Sequence, residues 1–185
     1  MKLVILDRDG VINVESPNFI KSPAEWQPIS GSLEAIALLN QNGFRVVVAT
    51  NQSGVGRGLY DMATLNAIHD KMHRAVNAVG GRIDAVFYCP HTADEGCDCR
   101  KPKTGMIDEI GKRFGFNLKN VPAVGDALRD LQSFAGAGCQ PILVRTGKGE
   151  ATFKVGELPE SKLPAHTWVV ADLSEAVARI IKEAE

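Results

Sequence analysis

Short apolar runs alternate with longer amphipathic segments from one end of the chain to the other, the pattern of a parallel sheet covered by helices. Lys2 to Leu6 predicts a first strand and Phe44 to Ala49 a second, whose Val46-Val47-Val48 centre is continuously apolar, as a strand buried on both faces requires. Between them the spacing predicts a helix from about Leu33 to Gln41, opened by Ser32 as N-cap and stopped by Gly43. After Asp61, the residues Leu65, Ile68, His69, Met72, Val76 and Val79 recur at helical spacing, and that run ends at Gly80-Gly81. Ala85 to Tyr88 reads as a third strand, Met106 to Phe114 as helix, Pro122 to Val124 as a short strand, Leu128 to Ala137 as helix and Pro141 to Val144 as strand. Gly147 to Pro164, with its Gly, Lys and Pro content, reads as a loop before a last strand at Trp168 to Val170. Asp172 and Glu175 form a capping-box pattern that opens a terminal helix. The class is α/β, a three-layer sandwich with a central parallel sheet.

Length then bounds the organisation. The 185 residues suffice for one hydrophobic core, so a single domain over 1–185 is expected. Apolar residues at 44% and charged ones at 23% exclude a disordered chain, and no stretch approaches the roughly 20 apolar residues that cross a bilayer. Met1 to Leu6 runs straight into Asp7 without the apolar core and cleavage site of a signal peptide, so a cytoplasmic protein is expected. A net charge of −1 gives no reason to expect nucleic acid or membrane as partner. Anion binding must be local, and a monomer is the default.

In an open parallel sheet the site lies at the C-terminal ends of the strands. Asp7 follows the first strand, Thr50 the second and Asp126 the strand ending at Val124, while Asp9 stands two residues beyond Asp7 and Lys101 lies in the loop after the third strand. An Asp-x-Asp pair is common in plain turns. Matching residues at the other strand ends change its meaning. Carboxylates of Asp7, Asp9 and Asp126 brought together would repel one another unless a cation neutralised them, and an all-oxygen site suits magnesium. Lys101 and the Thr50 hydroxyl would then hold phosphoryl oxygens. Asp130, four residues after Asp126, would face the same side of the next helix and could orient Lys101.

Cys89-Pro90-His91 and Cys97-Asp98-Cys99 offer two chelating pairs within eleven residues, a thiolate and imidazole set suited to zinc with no position left for water. Zinc in the loop 89–99 would therefore fix backbone rather than do chemistry, aiming Arg100 and Lys101 that follow it directly. Cys139, between Gly138 and Gln140, reads as a small buried residue.

Asp-Arg-Asp-Gly-Val-Ile at 7 to 12, Thr50-Asn51, Lys101-Pro102 and Gly125-Asp126 resemble, in order and spacing, the four motifs of the haloacid dehalogenase (HAD) superfamily. The resemblance implies a Rossmann-like HAD fold. It implies a phosphatase in which Asp7 is the nucleophile and Asp9 the general acid and base, with magnesium held by the Asp7 and Asp126 side chains and the Asp9 backbone carbonyl. Neither interval where the superfamily inserts a cap is long enough for a full domain, so the site should be open, without a large cap.

Within the superfamily, the combination with Thr-Asn-Gln-Ser and Cys-x-Cys-Arg-Lys-Pro resembles phosphatases of small sugar bisphosphates, and next phosphatases of histidinol phosphate. Residue by residue, it puts substrate contacts on Asp7, Arg8, Asp9, Glu15, Ser16, Pro17, Asn18, Thr50, Asn51, Gln52, Ser53, Arg100 and Lys101. Arg100 favours a substrate with a second anionic group over the cationic amine of histidinol phosphate. Ala127 departs from the lysine that some relatives carry after the metal aspartate. A non-catalytic module, its zinc loop binding a protein partner, would have been favoured by loss of Asp7 or Asp9, and both are present.

Overall fold

The computed structural model describes residues 2–185. Among them, β1 (Lys2–Leu6), β2 (Phe44–Asn51), β3 (Ala85–Cys89), β4 (Pro122–Gly125), β5 (Gln140–Val144) and β6 (Trp168–Val170) form one wholly parallel sheet in the order β3-β2-β1-β4-β5-β6. The helices are α1 (Ser32–Gln41), α2 (Ser53–Gly56), α3 (Met62–Ala78), α4 (Gly105–Phe114), α5 (Leu128–Gly136), α6 (Gly149–Gly156) and α7 (Leu173–Glu183).

Side chains alternate across the sheet with the period of two that a pleated strand imposes. Val4, Leu6, Val46 and Val48 pack with Ile36, Leu39, Ile68, Met72, Val177 and Ile180 under α1, α3 and α7. Leu3, Ile5, Val47 and Ala49 face the other way, onto Met106, Ile107, Ile110 and Phe134 of α4 and α5. Each large apolar side chain so buried contributes roughly 1.5–3 kcal/mol. This two-sided burial is why the strands read as unbroken apolar runs.

The strand order reverses between β1 and β4, which pair Ile5 with Ala123 and Leu6 with Val124. That opens a crevice at their C-terminal tips, the place where such sheets bind ligands. The segments 13–31 and 52–100 hold loops, 3-10 turns, α2, α3 and β3, with no inserted domain. No described helix is long and apolar enough to cross a membrane.

Two local expectations are corrected. Ser32 is the first residue of α1 rather than its cap; Gly31 takes the cap position at φ 85°, and the buried Ser32 hydroxyl donates to the Val11 carbonyl at 2.8 Å. The stretch read as a loop from Gly147 to Pro164 contains α6 and a 3-10 turn at Pro159–Ser161. Its glycines serve close approach instead of breaking the helix. A Cβ on Gly149 would overlap the Val144 carbonyl, and one on Gly156 would meet Leu163 at 2.7 Å. The terminal helix opens as expected, with Asp172 accepting from Glu175 N at 2.9 Å. The Glu175 carboxylate reaches the Ala171 N–H instead of that of the cap.

Candidate active site

Asp7 leaves β1 with its own N–H donating to the Val124 carbonyl at 2.9 Å, so the tips of β1 and β4 are stitched together where the acidic residues emerge. Asp7, Asp126 and Asp130 bring carboxylate oxygens within 4.8 Å of one another. Burial, then the charges of Asp130 and Asp9, push the Asp7 carboxyl up to about 7 against the pull of Lys101. Burial, then Asp7 and Asp130, push Asp126 up to about 8. Two carboxyl groups that resist ionising side by side are the electrostatic signature of a cation site.

Asp130 is already engaged. Its Oδ1 lies 2.7 Å from Lys101 Nζ and its Oδ2 accepts the Ala127 N–H at 3.1 Å. Burial acts to raise its carboxyl, but Lys101 outweighs that and holds it below the usual range. Burial acts to lower the Lys101 amine, and Asp130 and Asp7 together hold it above its usual value. Asp7 Oδ1 accepts from Lys101 Nζ at 3.1 Å and Arg8 N at 2.9 Å, and Asp126 Oδ2 accepts from Lys148 N at 2.8 Å. Among the described residues Asp7 Oδ2 and Asp126 Oδ1 receive no hydrogen bond, which leaves one oxygen of each free for a hard cation. The donor set fits magnesium.

Asp9 departs from the simplest expectation, since its carboxylate turns away from this cluster. Its Oδ1 accepts from Arg8 Nε at 3.1 Å, Arg8 Nη2 at 2.9 Å and Asn13 Nδ2 at 2.9 Å, and its Oδ2 from Gln52 Nε2 at 3.0 Å. Burial would raise its carboxyl, but the Arg8 charge and these hydrogen bonds hold it below the usual range. Any metal contact from Asp9 therefore falls to its backbone.

A cleft of about 440 Å³ opens over these groups, and Asp7, Asp9, Glu15, Ser16, Pro17, Asn51, Gln52, Ser53, Arg100 and Lys101 line it. Three expected substrate contacts are not on its wall. Arg8 is fully buried beneath it, paired with Asp9; Asn18 points to solvent with its N–H on Ser16 Oγ; Thr50 is 1% exposed, its hydroxyl receiving Gln52 Nε2 at 2.9 Å. Asn51 has a further task. Its carboxamide both accepts the Lys101 N–H and donates to the Lys101 carbonyl, each at 3.1 Å, clamping the backbone that carries the lysine.

At the end of β3 the cysteine cluster closes as its spacing implies. Cys99 Sγ lies 3.1 Å and Cys97 Sγ 3.6 Å from Cys89 Sγ, and His91 Nδ1 is 3.3 Å from Cys99 Sγ. Zinc with bonds of about 2.3 Å sets thiolates about 3.7 Å apart in a tetrahedron, so the four donors fit that ion. Burial pushes the Cys89 thiol up to about 12; burial also acts to raise Cys97, but the Arg100 N–H and hydrogen bonds with Cys89, Cys99 and His91 together bring it down to about 7. Arg100 Nη1 donates to the His91 carbonyl at 3.4 Å, tying the arginine to the cluster. Cys139 is buried as expected.

Arg57, in the Gly54 to Tyr60 loop expected to help choose the substrate, lies on the cleft wall. Other residues of the site were not read from the sequence: Arg129 and Lys148 add cations to the wall, and Lys148 Nζ lies 3.5 Å from Glu15 at its mouth. Gly10 and Gly147 sandwich the Asp126 carboxylate so tightly that a Cβ on either would overlap Oδ2. Asn13, Tyr60 and His69 join the network around Asp9. His69 alone left a signal, a histidine on the apolar face of a helix.

Comparison with known proteins agrees with this geometry. The polynucleotide kinase 3 phosphatase family matches residues 2–135 and the HAD-hydrolase-like family residues 98–176. The D-glycero-β-D-manno-heptose-1,7-bisphosphate 7-phosphatase of Bordetella bronchiseptica is 56% identical over 184 residues, covering 100% of both chains, and that of Pseudomonas aeruginosa is 46% identical, covering 97% of this chain and 98% of the relative. The crystal structure of the D,D-heptose 1,7-bisphosphate phosphatase from B. bronchiseptica complexed with magnesium and phosphate superposes with a TM-score of 0.94 at 55% identity, covering 99% of each chain. That from Burkholderia thailandensis gives 0.77 at 51%, covering 98% and 99%. With likeness of that extent along its whole length, the chain belongs to the D-glycero-D-manno-heptose-1,7-bisphosphate 7-phosphatase family of the HAD superfamily.

Proposed function

We propose that this chain, acting as a single-domain monomer in the cytoplasm, hydrolyses the 7-phosphate of D-glycero-D-manno-heptose 1,7-bisphosphate, a step toward the nucleotide-activated heptose of lipopolysaccharide core. The observation that carries the reading is Asp7: a buried carboxylate at a strand tip with Lys101 Nζ 3.1 Å from one oxygen and the other open to the cleft beside Asp126.

An Asp7 oxygen attacks phosphorus, the bond from phosphorus to the sugar oxygen breaks, and Asp9, which must enter this step carrying a proton taken from solvent against the pull of Arg8, gives that proton to the sugar oxygen. In the second step Asp9 takes a proton from water as the water oxygen attacks the aspartyl-phosphate, returning Asp7 and releasing phosphate. Lys101 holds phosphoryl oxygens as charge develops, while the buried Thr50 hydroxyl supports Gln52 beside them. Magnesium, which the Asp7 and Asp126 carboxylates and the Asp9 carbonyl would hold, neutralises the meeting of two anions when bound. Zinc on Cys89, His91, Cys97 and Cys99 would serve placement of Arg100 and Lys101. Neither nucleic acid nor membrane enters this reading.

Cationic Arg57, Arg100, Arg129 and Lys148 around the cleft favour a bisphosphate over histidinol phosphate, whose amine they would repel. The test compares specificity constants for both anomers of the heptose 1,7-bisphosphate, fructose-1,6-bisphosphate and histidinol phosphate, with Asp7→Asn as control. The heptose bisphosphates should lead and Asp7→Asn should abolish all turnover. Preference for histidinol phosphate would overturn the substrate, and an active Asp7→Asn the chemistry.

A further inference from the structure

Three of the four hydrogen bonds to the Asp9 carboxylate, those from Arg8 and Gln52, come from donors that are themselves held from behind; the fourth comes from Asn13. Arg8 is fully buried, and while its Nε and Nη2 grip Asp9, its Nη1 lies 3.1 Å from His69 Nε2 on α3. Gln52 gives Nε2 to Asp9, and its Oε1 receives the Tyr60 hydroxyl at 2.6 Å. His69 and Tyr60 are 7% and 8% exposed and neither lines the cleft.

We infer that His69, acting through Arg8, and Tyr60, acting through Gln52, are positioning residues that aim Asp9 at the leaving-group oxygen. The inference rests on the reading of Asp9 as general acid and base.

Packing alone does not account for a histidine at this place. Its helical neighbours Leu65, Ile68 and Met72 are fully buried and apolar, and a leucine at 69 would continue their face. A guanidinium has only donors, so the nitrogen facing it must present a lone pair, which places the imidazole proton on Nδ1. Burial, then the charges of Arg8 and His73, push His69 down to about 3 and keep it neutral and able to accept. The imidazole thereby fixes the third side of a guanidinium whose other two N–H groups hold Asp9. A guanidinium rotated by loss of that acceptor carries Asp9 with it, and misplacing a proton donor by about 1 Å costs on the order of 100-fold in rate.

The test uses two substrates that need the acid to different degrees. The sugar phosphate leaves as an alkoxide and requires protonation; 4-nitrophenyl phosphate leaves as a stable phenolate and does not. His69→Leu is expected to lower kcat on the heptose bisphosphate about 10- to 100-fold with KM within about twofold, and to cost 4-nitrophenyl phosphate several-fold less. His69→Gln, which restores an acceptor, should recover most of the loss. Tyr60→Phe removes one hydroxyl and should show the same leaving-group dependence at about 3- to 10-fold, which keeps the inference testable if the leucine variant folds poorly. Equal losses on both substrates, or none, with Asp9→Asn nearly inactive would overturn the positioning role while leaving Asp9 in place. Full activity of Asp9→Asn would overturn the acid assignment and the inference with it.

Discussion

Lys101 Nζ and Asp130 Oδ1 stand 2.7 Å apart with both side chains 1% exposed, a buried ion pair at the floor of the cleft. Removing one partner of such a pair strands the other charge. Asp130→Ala is expected to destabilise the fold by about 3–5 kcal/mol and to pull Lys101 wholly onto Asp7, lowering kcat at least about tenfold. The double substitution Lys101→Met with Asp130→Leu should regain stability without regaining activity. Urea melts and steady-state rates check both; a double variant less stable than either single one would refute the account.

Gly147 has φ 58° and lies against both Gly10 and the Asp126 carboxylate. Gly147→Ala combines the left-handed backbone penalty of about 1–2 kcal/mol with an overlap on Asp126 Oδ2 that shifts the carboxylate whose other oxygen faces the metal site. Magnesium should bind about tenfold more weakly, as titration calorimetry would show. Unchanged affinity would mean that the loop gives way without moving Asp126.

Proton competition is expected at the acidic pair. Asp7 and Asp126 are raised from 3.8 to about 7 and about 8, so between pH 4 and pH 8 the metal-free fold holds protons that the unfolded chain releases. Stability from these groups is present below about pH 4 and is lost as pH rises through 7 to 8. A divalent ion takes the deprotonated pair, so binding should release protons and tighten from pH 6 to pH 8.5. Calorimetry in buffers of different ionisation enthalpy reads that release; proton uptake, or affinity flat with pH, contradicts it.

Metal analysis should find about one zinc per chain. Chelation, or Cys97→Ser, is expected to lower the melting temperature by several degrees and to depress kcat/KM by loosening Arg100 and Lys101. Full activity and stability in zinc-free protein would show that hydrogen bonds such as Lys103 Nζ to the Cys97 carbonyl hold the loop unaided.

The fold was legible where burial leaves a local pattern. β1 and β2, packed on both faces, show as apolar runs ending in Asp7 and Thr50, and the one-turn spacing of Asp126 and Asp130 placed both near Lys101. α6 was hidden because Gly149 and Gly156 resemble helix breakers until the carbonyl and leucine they approach are known. Residues that complete the site from afar had no local signature. Thr146, whose hydroxyl donates to the Gly10 carbonyl at 2.6 Å, sits 136 residues away in sequence. The resemblance counted Arg8 among the substrate contacts together with Asp7 and Asp9, yet it lies beneath the cleft and pairs with Asp9.

The seam between β1 and β4 joins residues more than a hundred positions apart, and both Asp7 and Asp126, the proposed nucleophile and metal ligand, hang from it. A slip of one residue in that pairing would carry one carboxylate about 3.3 Å along its strand and turn it to the opposite face. Half-assembled molecules should therefore be catalytically silent. In a refolding experiment, turnover would return with the last long-range strand pairing rather than with the helices, making the reaction itself a gauge of complete topology.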